Sequence, residues 1–239
     1  TSSMKIERKI IPSCDCSIDK CIEIFKATSD IKEVEAYKVG ALLTLEHSLP
    51  KIVSLAREYT DKPLIYDHQK AGNDSKHIAK KLTTIVKDSG INTIIISPFT
   101  GQNTGIGWLE AALESSLNVI AGNIMSFEKY DTDEGGYKEA GYQDSNLIYD
   151  IYEFAAEIGI KNFIIPGNQI KRVVGLNDLF NLRDIRDYNI YFTGMGKQGG
   201  RIGECSQYIN GNKHHFFFGR DIYEAKDIRK AVLELASQL

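Results

Sequence analysis

The residues best suited to chemistry fall in two short segments, DHQKAGND at 67 to 74 and GMGKQGG at 194 to 200. The first places Asp67, Lys70 and Asp74 directly after the apolar run PLIY, where a buried strand should end. The second follows the strand-like run NIYF, and its four glycines permit close approach of backbone N–H groups to phosphate oxygens. Charged groups of alternating sign beside a phosphate cradle suit an enzyme acting on a phosphorylated anion. Further polar groups stand at or just past strand-like runs: Asp15, Lys38, Ser126, and Gly219 with Arg220. Several carboxylates and two lysines at one mouth are tolerable only if they pair in alternation.

These residues need a scaffold that gathers strand ends. Eight apolar, β-rich runs occur at 8–14, 34–40, 63–67, 92–97, 118–122, 162–166, 189–193 and 214–219. Helical spacing separates most of them, as in Ile18, Cys21, Ile22, Phe25 and in Ile78, Leu82, Ile85, Val86. Strands apolar on both faces and alternating with helices indicate a parallel sheet, and eight units in 239 residues indicate a single-domain α/β fold, the (β/α)8 TIM barrel. A doubly wound open sheet is the other topology this pattern admits. In a barrel, the long connections 127–143 and 196–213 fall on the C-terminal rim with the charged residues. Helix starts are expected at Ser17, Asp74-Ser75 and Asp144-Ser145, and helix ends at Gly90 and Gly159.

Thr1, Ser2 and Ser3 read as a cloning remnant, leaving 4–239 as the barrel domain. A net charge of −3, with 29 basic and 32 acidic residues and no basic tract, argues against a nucleic-acid partner. The longest apolar stretches fall far short of the ~20 residues that cross a bilayer. A soluble, cytoplasmic protein is expected. Cys14, Cys16, Cys21 and Cys205 form no CxxC pair, so reduced thiols are expected and zinc is not.

The ordered set AYKVGALL, IYDHQKAGND, GNIMS, GMGKQGG and FFFGRDIY resembles the orotidine 5'-monophosphate decarboxylase family over nearly the whole chain. The resemblance implies decarboxylation of orotidylate to UMP in pyrimidine biosynthesis, with no cofactor and no metal. It implies Asp15 on the ribose, Lys38 and Asp67 in the charge array with Asp67 against the substrate carboxylate, and Lys70 as proton donor. Ser126 would read the pyrimidine, while Gln198, Gly199, Gly219 and Arg220 would hold the phosphate. Asp74 would reach the neighbouring site of a homodimer. One departure stands out: D-x-x-K-x-x-x-D replaces the family's D-x-K-x-x-D. On a strand Lys70 would then point away from Asp67 unless a turn, for which Gly72 is suited, realigns it.

Two other functions fit parts of the pattern. Sugar-phosphate lyases resembling hexulose-6-phosphate synthase and ketogulonate-6-phosphate decarboxylase carry a metal-binding acid where this chain has Lys38. A non-catalytic nucleotide-binding barrel would keep the cradle without turnover. Plainer roles also exist for single residues: Asp67 as a turn cap, Asp15 as a helix cap, Lys70 and Asp74 as a surface pair, and His214-His215 as packing groups.

Overall fold

The computed structural model describes residues 5–68, 71–135 and 139–239. Eight parallel strands form one sheet: β1 (Glu7–Pro12), β2 (Tyr37–Gly40), β3 (Leu64–Asp67), β4 (Thr93–Ile96), β5 (Asn118–Ala121), β6 (Asn162–Pro166), β7 (Asn189–Thr193) and β8 (Lys213–Phe218). From β2 onward each strand pairs with the next, and β8 returns to β1. Bridges Ile10↔Val34 and Ser13↔Lys38 close the remaining seam between β1 and β2. The closed parallel barrel is the fold expected from the alternation, and the open sheet is excluded.

Two apolar layers hold it. The larger lies between the strands and the outer helices, with Phe25, Trp108, Tyr152, Phe163 and Phe180 fully buried. The smaller fills the barrel itself and takes one residue from each strand or its start: Ile11, Ala36, Ile65, Ile95, Ile120, Ile164, Tyr191 and Phe217. Side chains on a strand alternate faces, so the next inward positions toward the strand ends are Ser13, Lys38, Asp67, Ser97, Gly122, Pro166, Thr193 and Gly219. The apolar ring is thus the floor beneath a predominantly polar mouth.

The helices are α1 (Ile18–Thr28), α2 (Ala41–Glu46), α3 (Leu49–Arg57), α4 (Lys76–Asp88), α5 (Gln102–Glu114), α6 (Asp150–Glu157), α7 (Ile170–Leu182), α8 (Ile202–Ser206), α9 (Arg220–Tyr223) and α10 (Ile228–Ala236). Ser17 caps α1 as expected, its hydroxyl accepting from the Lys20 N–H at 3.2 Å. Ser75 precedes α4 without capping it; its hydroxyl pairs instead with His77 Nδ1. The helix expected from Asp144-Ser145 begins later, at Asp150, because Asp144 Oδ1 is engaged in a local turn with the Asn146 N–H. Gly90 and Gly159, both at φ +98, follow the helix ends as expected.

Candidate active site

The mouth at the C-terminal ends of the strands is a cleft of about 220 Å³. It gathers Asp15, Lys38, Asp67, Ser126, Gln198, Gly219 and Arg220, which sequence reading placed on six different strand ends or loops. Apolar groups also line it: Ile95, Ile164 and Phe217 from the ring beneath, and Ile124.

Lys38 and Asp67 form the charged floor. Lys38 Nζ donates to Asp67 Oδ2 at 2.9 Å, both side chains being about nine-tenths buried. The ammonium also lies 5.2 Å from the centre of the Phe217 ring, over its electron-rich face. Burial alone would push the Lys38 pKa down, but the carboxylates of Asp67 and Asp15 outweigh it and hold the ammonium above its ordinary value. Lys38 is therefore a fixed cation. Gly40, whose missing side chain leaves room for the Asp15 carboxylate, sets that acid beside the pair. Asp67 Oδ1 is buried and has no hydrogen-bond partner among the described residues. On a residue that lines the cleft, such a carboxylate oxygen can accept a hydrogen bond from a donor brought there.

Past Asp67 the chain turns at once. The Ala71 N–H donates to the His68 carbonyl at 2.7 Å, and Gly72 adopts φ +104. Gln69 and Lys70 lie outside the described residues. The far side of the turn is pinned by Asn73, which donates to the Ser97 carbonyl at 3.0 Å and accepts from the Phe99 N–H at 2.8 Å. Asp74 is exposed just before α4 and is not among the residues lining the mouth.

Opposite the charged floor stands the loop after β7. Gly194 (φ +67) and Gly196 (φ +64) occupy backbone conformations that disfavour side chains, and a Cβ would run into Asn168 at the first and Asp221 at the second. Asp221 holds the loop by accepting from the Lys197 N–H at 3.1 Å. The glycine N–H groups differ from expectation: Gly199 donates to the Gly196 carbonyl and Gly200 to that of Gly194, each at 2.8 Å. They are spent on the loop's own shape, and Gly199 lines an adjoining cleft rather than the mouth. Those two N–H groups are thus not offered to an anion, while the side chains of Arg220 and Gln198 belong to residues that line the mouth.

Sequence reading passed over several residues of this site. Ser13, Ser97 and Thr193 could have been found by stepping two positions from each apolar floor residue. Asn168, which touches the loops of both Ser126 and Gln198, carries no such periodic signal. Among the described residues no cluster of three or more His, Cys, Asp or Glu side chains is arranged to hold a metal ion, and no helix is long and apolar enough to cross a membrane.

No family model matches the chain. A curated relative, orotidine 5'-phosphate decarboxylase of Methanosphaera stadtmanae, is 25% identical over 237 residues, covering 99% of both chains. The similarity to this decarboxylase runs over nearly the whole of both chains. The fold agrees. The decarboxylase of Methanocaldococcus jannaschii, solved with the inhibitor BMP, superimposes with a TM-score of 0.77 at 19% identity, covering 98% of this chain and 99% of that one. That of Pyrococcus horikoshii OT3 gives 0.73 at 21% identity over 96% and 98%. The near-complete coverage of both partners shows that this chain shares their barrel fold.

Proposed function

We propose that this chain decarboxylates orotidine 5'-monophosphate to UMP without a cofactor, as a step in pyrimidine biosynthesis in the cytoplasm. The observation that carries this reading is the buried Lys38–Asp67 pair on the floor of a mouth whose opposite rim bears Gln198 and Arg220. The cleft combines a buried charged pair, apolar groups and a cationic rim residue. A pyrimidine nucleotide has features to match: a carboxylate on the ring, an apolar ring face and a terminal phosphate.

In the proposed reaction the bond from the ring carbon to its carboxylate breaks, carbon dioxide leaves, and the electron pair stays on carbon. Lys70 stabilises that carbanion as an ammonium and then transfers a proton to it. Asp67 lies against the departing carboxylate, and Lys38 holds Asp67 in place. Like-charge contact at about 4 Å and an effective dielectric near 20 is worth on the order of 4 kcal/mol, below the ~8–23 kcal/mol enzymes commonly supply. The balance comes from remote binding: Arg220 and Gln198 on the phosphate, Gly219 allowing close approach, Ser126 on the pyrimidine and Asp15 on the ribose. Gly199 shapes the phosphate loop. Asp74, exposed beyond the mouth, is available to a second copy of the chain, in keeping with a homodimer that shares this carboxylate.

The test is loss of orotidylate absorbance with purified protein, with and without EDTA. Turnover indifferent to the chelator supports the reading. Metal-dependent turnover of a keto-sugar phosphate instead would move the chain to the lyases, and nucleotide binding without turnover would make it a binding barrel.

A further inference from the structure

Asn168 stands just past β6, between the two loops that would hold opposite ends of the substrate. Its Nδ2 donates to the Ser126 carbonyl at 3.1 Å and to the Gln198 carbonyl at 3.0 Å. One amide nitrogen thereby spends both N–H groups on two backbones that no ladder or turn connects. The next residue reinforces the ring-side half: Gln169 Nε2 donates to the Met125 carbonyl at 2.6 Å. The base of this joint is firm, since the Gly167 N–H donates to the Thr193 carbonyl at 2.7 Å and continues the β6–β7 pairing.

The other half of the Asn168 amide is unusual. Oδ1 is buried and accepts no hydrogen bond among the described residues, and it faces Gly194, where any Cβ would overlap it. Leaving a buried acceptor unpaired is unfavourable, so an amide placed only for stability would be turned or replaced. What the geometry secures instead is a fixed bridge from the loop at 125–126 to the loop at 194–200. A shift of either carbonyl must break a bond or move the other.

We propose that Asn168 is a positioning residue that couples the two loops, so that an anion engaged at Arg220 and Gln198 fixes the Ser126 segment before the ring is gripped. This inference rests on the nucleotide reading of the site, though not on turnover. It makes phosphate binding an ordering signal as well as an anchor, which is how remote binding can be used at a reacting centre.

Ribose 5-phosphate tests it, because it offers the phosphate and sugar but no ring. In the unaltered protein it should slow amide hydrogen exchange at 196–200 and also at 124–127. In Asn168→Ala, and in the size-matched Asn168→Asp that lacks both donors, protection should persist at 196–200 and disappear at 124–127. Far-UV circular dichroism and thermal melts of both variants establish that they fold. Equal protection of both segments in the folded variants overturns the coupling, as does a 124–127 segment that never responds in the unaltered protein. Orotidylate turnover by the unaltered protein is measured alongside. Absence of turnover with the exchange pattern intact removes the decarboxylase activity and leaves the coupling standing.

Discussion

Lys38 and Asp67 meet on a diagonal: in the β2–β3 register Lys38 is level with Ile65, while Asp67 is level with Gly40. The ammonium thus reaches one inward-facing step toward the rim to donate to the carboxylate at 2.9 Å. Stagger of this kind is what strand tilt imposes on a closed barrel. It leaves Asp67 Oδ1, the oxygen without a partner among the described residues, as the part of the pair free to meet a ligand.

Breaking that pair should be costly on two counts. Lys38→Ala leaves a buried carboxylate uncompensated, so unfolding by urea should show a loss of about 3–5 kcal/mol, and turnover should vanish. Asp67→Asn removes the charge while keeping the shape. It should lose most of kcat with a smaller loss of stability. A variant Asp67→Asn that turned over orotidylate normally would remove the carboxylate from the mechanism.

Arg220 is exposed at the rim and far from the floor pair in character, so its removal should act on binding. Arg220→Ala is expected to raise KM about tenfold to a thousandfold, the loss of a bidentate charged contact, with a smaller fall in kcat at saturation. Steady-state kinetics on orotidylate decide this. A fall in kcat with KM unchanged would mean that Arg220 acts on the chemical step instead.

Acid should destabilise the protein through two histidines that take no part in the proposed chemistry. Both His214 and His215 are buried, and burial pushes each down to about 4. His214 is held between Ser206 and the Asn210 carbonyl, and His215 stacks on Tyr191 with ring centres 4.2 Å apart. A depressed folded pKa contributes stability that is present above the unfolded value near 6.5 and is lost as pH falls toward about 4. The loss should be on the order of 3 kcal/mol for each histidine. Urea unfolding between pH 7 and 4 should show it, and His215→Phe, which keeps the stacking, should flatten the decline.

Gly122 marks the limit of what the mouth tolerates. A Cβ there would run into the Ile164 carbonyl and the Tyr152 hydroxyl, both buried and both fixed by the β5–β6 wall. Gly122→Ala should therefore destabilise by at least 1–3 kcal/mol, the usual penalty of overpacking, and narrow the cleft. A thermal melt unchanged from that of the unaltered protein would show that this wall yields.

The barrel was legible in the sequence because each strand is apolar on both faces, a pattern that only a buried parallel sheet explains. Lys38 and Asp67 were legible for the converse reason, being charges at positions where such a strand should stay apolar. The short α2, which follows Gly40 without any side-chain cap, left no comparable mark. The glycines of 194–200 suggested free N–H donors, yet those of Gly199 and Gly200 are consumed by the loop's own carbonyls. Asn168 stayed hidden because its partners are main-chain oxygens. A bond to a carbonyl depends on where the backbone runs and leaves no trace in the partner's residue type.

The same concealment applies to the connection after β5. Arg172 of α7 forms a buried ion pair with Asp131 and a second contact to Asp133 at 3.2 Å. Thr132 and Ser145 bond across the base of that excursion.

The ring of eight apolar residues inside the barrel has an implication for how the molecule acquires activity. Because the mouth residues lie one inward step beyond that ring, a one-residue slip of β2 against its neighbours would turn Lys38 outward and bring Tyr37 or Val39 into its place. Such a molecule could be compact and rich in native secondary structure while being inert. Recovered helical signal after refolding would then overstate recovered enzyme, and the shortfall between the two would count the barrels that closed out of step.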